Sequence, residues 1–107
     1  MKEFDALDND GYPTEEYLQF IKAYEGQSPI MDFIAILMDG WWCNDWGFVL
    51  HRKYKGVRKM ELHTGGWSGN EDIIEALHGA WNGMFWFLYW QKSTRGGHYY
   101  FTIPMEE

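Results

Sequence analysis

The sequence predicts a single α+β domain, residues 1–107, with the element order ααββαββ. Three observations lead to this prediction. Apolar residues recur at helical spacing in three segments, strand-like runs occupy the intervening parts, and glycine-rich turns separate them. We expect the strands to form a four-stranded, mainly antiparallel sheet that is packed by the helices.

The N-terminal part is predicted to contain an irregular lead-in and two helices. Residues 1–12 are acidic and show no periodic pattern. Thr14 is a suitable N-cap for a first helix that ends at Gly26, and a second helix is expected to begin at Ser28 and Pro29. The apolar stripe of the first helix consists of Tyr17, Phe20, Ile21 and Tyr24. The stripe of the second consists of Ile30, Phe33, Ile34, Leu37 and Trp41.

The middle of the chain is predicted to form a β-hairpin. A first strand is expected from Phe48 onward, after the segment WWCNDWGF breaks the helical pattern. Lys55 and Gly56 suit a tight turn, and the returning strand VRKMELH directs Met60 and Leu62 inward.

The C-terminal part is predicted to contain a helix and two strands. The helix follows the glycine loop, and its stripe consists of Ile73, Ile74, Leu77 and Trp81. The run Met84–Trp90 is so continuously apolar that we interpret it as a central strand of the sheet. The segment KSTRGG then turns the chain into a last strand, HYYFTI.

This element order predicts that two glycine-rich loops lie at the same rim of the sheet. If the second strand runs up, the third helix runs down, the third strand runs up and the fourth runs down. The segments HTGGWSGNE and SxRGGH, where x is Thr94, should therefore converge. A helix N-terminus presents backbone N–H groups, and Arg95 adds a planar donor fork that suits phosphate or carboxylate.

We therefore expect a binding pocket for an anionic, ring-bearing small molecule such as a nucleotide. Its candidate residues supply glycine backbone, hydrogen-bonding groups, two imidazoles, one guanidinium and two aromatic rings. They are His63, Thr64, Gly65, Gly66, Trp67, Ser68, Asn70, Ser93, Arg95, Gly96, His98 and Tyr99.

A structural interpretation of the same loops stays open. Ser68 and Glu71 have the spacing of a capping box, and carboxylates in the first helical turn satisfy the helix dipole without a ligand. Arg95 could also pair with Glu71 and fasten the two loops together.

Sequence motifs provide no specific signal for catalysis, a metal or a cofactor, and we predict none of the three. The glycine loop lacks the Walker A ending and the dinucleotide-binding spacing, and the segment DNDG lacks the ligands of an EF-hand. His63, His98 and Glu71 could form an acid–base set or a weak metal site, but their spacing is not diagnostic.

The net charge of −7 argues against general nucleic-acid binding, and we predict none. The charge is uneven, because residues 1–45 carry ten acids against two bases. Five bases lie in the hairpin HRKYKGVRK, which is either a solvated surface or a contact for one phosphate group.

The chain shows no feature of membrane insertion or secretion. Its N-terminus lacks an apolar signal region, and its apolar runs are far shorter than the ~20 residues that span a bilayer. The single Cys43 excludes an internal disulfide, and we expect it to be a packed thiol. A cytoplasmic location fits these observations.

Four blocks of the sequence together resemble a family of small, uncharacterised proteins encoded by bacteriophages and prophages. The blocks are GYPTEE, DWGF, LHTGGWSGNE and SxRGGHYYF, and the resemblance covers Gly11 to Phe101. The resemblance implies a setting, the cytoplasm of an infected bacterium, and no particular activity or catalytic residue. Small phage accessory proteins often counter host defence.

Two functions of different classes follow as expectations. The first is sequestration of a nucleotide messenger by the converging loops. The alternative is inhibition of a host defence protein by the acidic N-terminal half and the tryptophans Trp41, Trp42 and Trp46. A nucleotide hydrolase is a third, weaker interpretation. The oligomeric state stays open, and the aromatic content of 20% favours a homodimer as one possibility.

Overall fold

The computed structural model describes residues 5–26 and 28–105 and confirms the α+β architecture. Its elements are α1 (Glu15–Lys22), α2 (Ile30–Gly40), α3 (Asn44–Gly47), β1 (Phe48–Leu50), β2 (Val57–His63), α4 (Ser68–Gly79), a 3-10 turn (Ala80–Gly83), α5 (Met84–Tyr89), β3 (Trp90–Thr94) and β4 (His98–Pro104). The expected lead-in is irregular over residues 5–12, with one bridge between Leu7 and Pro13. Its first four residues lie outside the described part.

Helices α1 and α2 form in the predicted segments, but α1 ends at Lys22, before Tyr24 and the expected end at Gly26. Thr14 caps α1 by accepting a hydrogen bond from the Tyr17 backbone N–H at 3.2 Å. The buried Tyr17 hydroxyl in turn donates to the carbonyl oxygens of Ile36 and Leu37 in α2. This contact joins the two helices, and Gly40 leaves the space for the tyrosine ring.

The sheet has the strand order β1-β2-β4-β3, and all neighbouring strands are antiparallel. The two central strands are therefore β2 and β4. Alternation divides their side chains between two faces. The core face carries the fully buried Met60, Leu62, Phe101 and Ile103. The other, which we call the polar face, carries Lys59, Glu61, His63, His98, Tyr100 and Thr102.

The prediction of a central strand at Met84–Trp90 was wrong. Residues 84–89 form α5, and only Phe85 of this helix is fully buried, whereas Phe87 is 79% exposed. A continuous apolar run of this length does not distinguish a buried strand from a helix. Left-handed backbone at Trp81 and Asn82 turns the chain before α5, and β3 starts only at Trp90, on the sheet edge.

The predicted capping box at the start of α4 was also wrong. The N-cap is Trp67, one residue earlier than expected, and no side chain caps the helix. Ser68 is consequently the first helical residue, and Glu71 is exposed in the first turn. The short helix α3 has no counterpart among the predicted elements, since four residues are too few for a periodic pattern.

Candidate functional site

The two glycine-rich loops meet at the rim of the sheet, as the element order predicts. The Thr64 backbone N–H donates a hydrogen bond to the Gly97 carbonyl oxygen at 2.9 Å. A Cβ atom on Gly97 would overlap the Thr64 hydroxyl, and Gly97 has a left-handed φ of +80°. We call the loop Thr64–Trp67 and the hairpin tip Arg95–Gly97 together the rim.

The glycine loop exposes part of its backbone. Gly65 and Gly66 both have positive φ and both are exposed. The ring of Trp46 lies over Gly65, 2.9 Å from the position of a Cβ atom there, whereas the same position at Gly66 faces open space. An incoming ligand can therefore approach the main chain at Gly66.

Arg95 does not fasten the two loops together. It lies exposed at the hairpin tip, and no salt bridge joins it to Glu71 or to any other residue in the described ranges. The Thr64–Gly97 contact holds the loops instead. The guanidinium is left available to a ligand.

The two rim histidines belong to a chain of hydrogen bonds across the polar face. His63 Nδ1 lies 2.7 Å from His98 Nδ1, and His63 Nε2 lies 3.0 Å from Glu61 Oε1. The other oxygen of Glu61 contacts His51 Nε2 at 2.6 Å. Hydrogen bonds from His51, the larger cause, and from His63 hold the pKa of the Glu61 carboxyl below its ordinary value. Glu61 is thus an ionised acceptor between two imidazoles.

The sequence-based acid–base set therefore contained the wrong carboxylate. Glu71 lies on α4 and takes no part in the histidine chain, and Glu61 occupies that role. His51, which belongs to the hairpin HRKYKGVRK, is its second partner. The sequence contained a pattern that could have predicted this grouping. Polar residues occupy every second position of β2 and β4, and this alternation places their side chains on one face.

A hollow of about 260 Å³ continues the polar face beyond the histidines. Its walls include Lys59, Glu61, Lys92 and Tyr100. The ammonium of Lys92 lies 5.0 Å from the centre of the Tyr100 ring. Two lysines and one aromatic ring therefore line the polar face beyond the histidines, and none of the three was among the predicted site residues.

Several predicted ligand-binding residues have structural positions instead. Asn70 is 1% exposed, and its side chain bonds to both backbone groups of Trp42 and to the Thr64 carbonyl oxygen. Thr64 is equally buried. We no longer assign these two side chains to ligand contact, because their polar groups hold the loops in place.

Three further candidates point away from the rim or are already engaged. Tyr99 lies on the core face and packs edge-on against Trp86. The Ser93 hydroxyl accepts a hydrogen bond from Trp90 Nε1 at 2.9 Å. Trp67 is stacked between two rings, with centroid distances of 4.6 Å to both Tyr12 and Trp42. His63, Gly65, Gly66, Ser68, Arg95, Gly96 and His98 remain as candidate residues of the rim.

The tryptophans assigned to the alternative surface do not form one exposed group. Trp41 is 2% exposed, and its Nε1 lies 3.3 Å from the carbonyl oxygen of His63. Trp42 and Trp46 are 43% and 53% exposed. Because Trp46 covers Gly65, the aromatic surface borders the rim, and the two predicted surfaces are neighbours.

Three further observations concern metal ions, membrane spans and a second hollow. Within the described ranges, no cluster of three or more His, Cys, Asp or Glu residues has the geometry to hold a metal ion. None of the described helices combines the length and the apolar character needed to cross a membrane. A larger hollow of about 590 Å³ lies beside Tyr24, Trp81 and Tyr89, and no predicted site residue lines it.

Comparisons with protein-family models, with curated proteins and with solved structures found no match.

Proposed function

We propose that this protein binds a small phosphate-bearing molecule, of the nucleotide class, at the rim. The observation that carries the proposal is the contact between the hairpin tip, which holds Arg95 and leads into His98, and the glycine loop, whose backbone is open at Gly66. Within the described residues, Arg95 forms no salt bridge. A guanidinium fork binds phosphate through two parallel hydrogen bonds. Glycine without a side chain lets phosphate oxygens approach the main-chain N–H groups.

The polar face provides room and charge for the rest of such a ligand. Tyr100 lies two residues beyond His98 on β4, which corresponds to about 7 Å along a strand. Lys59 and Lys92 line the hollow there. On the other side of the rim, the exposed ring of Trp46 offers a face on which a base can stack.

The biological role that we propose follows from the resemblance to small phage proteins. Removing a nucleotide messenger from the cytoplasm of an infected bacterium would counter a host defence that depends on it. This role requires tight binding of a small molecule and no contact with a nucleic-acid chain, in agreement with the net charge of −7.

Thermal unfolding in the presence of mono-, di- and cyclic nucleotides tests the proposal. A ligand at about 100 times its Kd adds about 2.7 kcal/mol of stability, a shift of several degrees for a domain of this size. Arg95→Ala should abolish the shift. Arg52→Ala is the matched control, because it removes one exposed arginine from the opposite end of the hairpin β1–β2. No shift with any nucleotide, or an equal shift in Arg95→Ala, contradicts the proposal.

A second candidate function is inhibition of a host defence protein. The observation that favours it is the exposed aromatic surface of Tyr12, Trp42 and Trp46, next to the acidic side chains of Asp10 and Asp45. Exposed aromatic rings are enriched at the centres of protein interfaces. Substituting Trp46 does not separate the two functions, because its ring also covers the glycine loop.

Neutralising acidic side chains of the aromatic surface distinguishes the two functions better. The double variant Asp10→Asn/Asp45→Asn should weaken capture of a protein partner, and this capture should depend strongly on salt. The same variant should leave any nucleotide-dependent thermal shift unchanged. If the variant loses the nucleotide-dependent thermal shift but still captures the protein partner, the assignment of the two surfaces is incorrect.

The expected homodimer remains a proposal. Phe87 and Leu88 of α5 are 79% and 45% exposed, and β3 is an open edge of the sheet. Light scattering at two protein concentrations, with Phe87→Ser as the variant, distinguishes a dimer through α5 from a monomer.

A further inference from the structure

The four hydrogen-bonding side chains of the polar face form one continuous series. His51 Nε2 contacts Glu61 at 2.6 Å, Glu61 contacts His63 Nε2 at 3.0 Å, and His63 Nδ1 contacts His98 Nδ1 at 2.7 Å. The series crosses from the end of β1 through β2 to β4. It ends at the rim, where His98 Nε2 lies beside Gly96, 3.2 Å from the position of a Cβ atom there.

The chemistry of these groups determines which nitrogen carries each proton. An ionised carboxylate only accepts hydrogen bonds, so His51 and His63 both donate from Nε2 to Glu61. A neutral His63 with its proton on Nε2 has a lone pair on Nδ1. The 2.7 Å contact therefore requires His98 to donate from Nδ1. A neutral His98 in this tautomer has its free lone pair on Nε2.

This free lone pair lies within the rim, beside Gly96. None of the described residues hydrogen-bonds to His98 Nε2. Arg95 is three residues away in the same hairpin, and the exposed backbone of Gly66 belongs to the loop that contacts this hairpin. The histidine thus presents an acceptor where we propose that a phosphate group binds.

The series can also take up the proton that His98 accepts. When Nε2 is protonated, the Nδ1 proton of His98 can pass to His63 Nδ1. His63 is then an imidazolium whose charge lies against the Glu61 carboxylate, 15% and 27% exposed respectively. A partly buried carboxylate stabilises the imidazolium and holds the ring in one orientation.

We propose that His98 is a general base, oriented by His63 and Glu61, for hydrolysis of a phosphate ester bound at the rim. The inference rests on the proposed function and adds turnover to it. A water molecule gives its proton to His98 Nε2 while its oxygen forms a bond to phosphorus. The bond from phosphorus to the leaving oxygen breaks, and the leaving oxygen takes the proton back from His98. Arg95 balances the charge on the non-bridging oxygens.

The roles of the residues follow from their contacts. His98 is the catalytic residue, whereas His63 and Glu61 are positioning residues that act through it. Besides the four members of the series, the polar face carries the charged or titratable groups of Lys59 on β2, Lys92 on β3 and Tyr100 on β4. Lys59 and Lys92 add positive charge to the polar face, which favours an anionic phosphate group there.

The first test is the tautomer of each histidine in the full chain, measured by NMR with 15N-labelled histidine at alkaline pH. The expected result is a proton on Nδ1 of His98 and on Nε2 of His63. In Glu61→Gln, a single side-chain oxygen replaces two acceptors, so the tautomer preference of His63 and His98 should weaken. A proton on Nε2 of His98 in the unmodified protein overturns the proposal.

The second test is hydrolysis of bis(p-nitrophenyl) phosphate, followed by release of p-nitrophenolate. His98→Ala and His98→Gln should lose most of a general-base contribution of ~10²–10⁴-fold. Glu61→Gln should retain part of the rate with an altered pH profile. His78→Gln is the control, because His78 stacks on Trp86 at the far end of α4 and lies outside the series.

The outcomes separate this inference from the proposed function. Equal rates in the unmodified protein and in His98→Ala overturn the general base, even if nucleotides stabilise the protein against heat. Hydrolysis that depends on His98 supports the general base, even if no nucleotide produces a thermal shift. In that case only the proposed nucleotide binding is contradicted.

Discussion

Substitution of Gly97 by alanine tests how the two loops of the rim are held together. Gly97 lies in the β3–β4 hairpin with a φ of +80°, and a Cβ atom there would overlap the hydroxyl of the buried Thr64. The hydroxyl cannot move away freely, because Thr64 bonds to Gly97 through its own backbone N–H at 2.9 Å. Gly97→Ala should therefore separate the hairpin from the glycine loop.

The expected loss of stability has two parts. A left-handed backbone costs an L-residue about 1–2 kcal/mol. Forcing a methyl group into a packed site costs about 1–3 kcal/mol more. The sum of roughly 2–5 kcal/mol is a large share of the 5–15 kcal/mol that is typical of a domain.

Urea unfolding of two further variants separates these parts. Gly66→Ala is the matched control, because Gly66 has a φ of +76° but no atom within 4 Å of the added methyl group. It should cost only the backbone part, about 1–2 kcal/mol. In the double variant Gly97→Ala/Thr64→Ala the overlapping hydroxyl is absent. The two substitutions should therefore be less destabilising together than the sum of their separate effects.

One result would refute this reasoning. If Gly97→Ala destabilises the protein no more than Gly66→Ala does, the close approach of the hairpin to Thr64 does not exist in solution. Additivity of Gly97→Ala and Thr64→Ala would have the same meaning. The proposed ligand site would then lose the contact that assembles it.

Two other predictions concern the residues around the rim. Asn70→Ala should cost roughly 2–4 kcal/mol in urea unfolding, because it removes three hydrogen bonds to the backbone of Trp42 and Thr64. Asn70→Asp should cost at least as much, because a buried carboxylate cannot donate to the two carbonyl oxygens. A loss below about 0.5 kcal/mol for Asn70→Ala would contradict this role. The hydrogen bond from His51 is the main reason why the pKa of Glu61 is lowered in the folded protein. The ionised Glu61 therefore stabilises the fold at pH values above the ordinary carboxyl pKa of 4.5, and this contribution is lost as the pH falls through the lowered pKa of the folded state. Urea midpoints at pH 7 and pH 3 should therefore differ less in Glu61→Gln than in the unmodified protein, and equal differences would exclude the contribution.

The convergence of the two loops could be predicted from the order of the elements alone. The order predicts that β2 and β3 run in the same direction, and in the structure both pair antiparallel with β4, so the end of β2 and the β3–β4 turn lie at one rim. The hydrogen-bonded series of His51, Glu61, His63 and His98 could not be predicted in this way. Its formation depends on the register that pairs His63 with His98, and these residues are far apart in the sequence.

The tryptophans are a second case in which the sequence alone does not predict the contacts. The sequence indicates a cluster at residues 41–46, but not which ring is inside. Trp41 is buried because it continues the core stripe of α2. Trp46 is exposed and covers Gly65, a contact between two segments that no local pattern connects.

The sequence by itself determined the helices α1, α2 and α4 and the strands β2 and β4. In these elements the spacing of apolar residues directly indicates which face is buried. The tertiary structure decided the rest. It made Met84–Tyr89 a helix, because this segment packs on the core through Phe85 after a left-handed turn, whereas its composition suits a strand equally well. It also selected Glu61 rather than Glu71 as the partner of His63, because strand alternation and pairing, not proximity to the glycine loop, determine which side chains share the polar face.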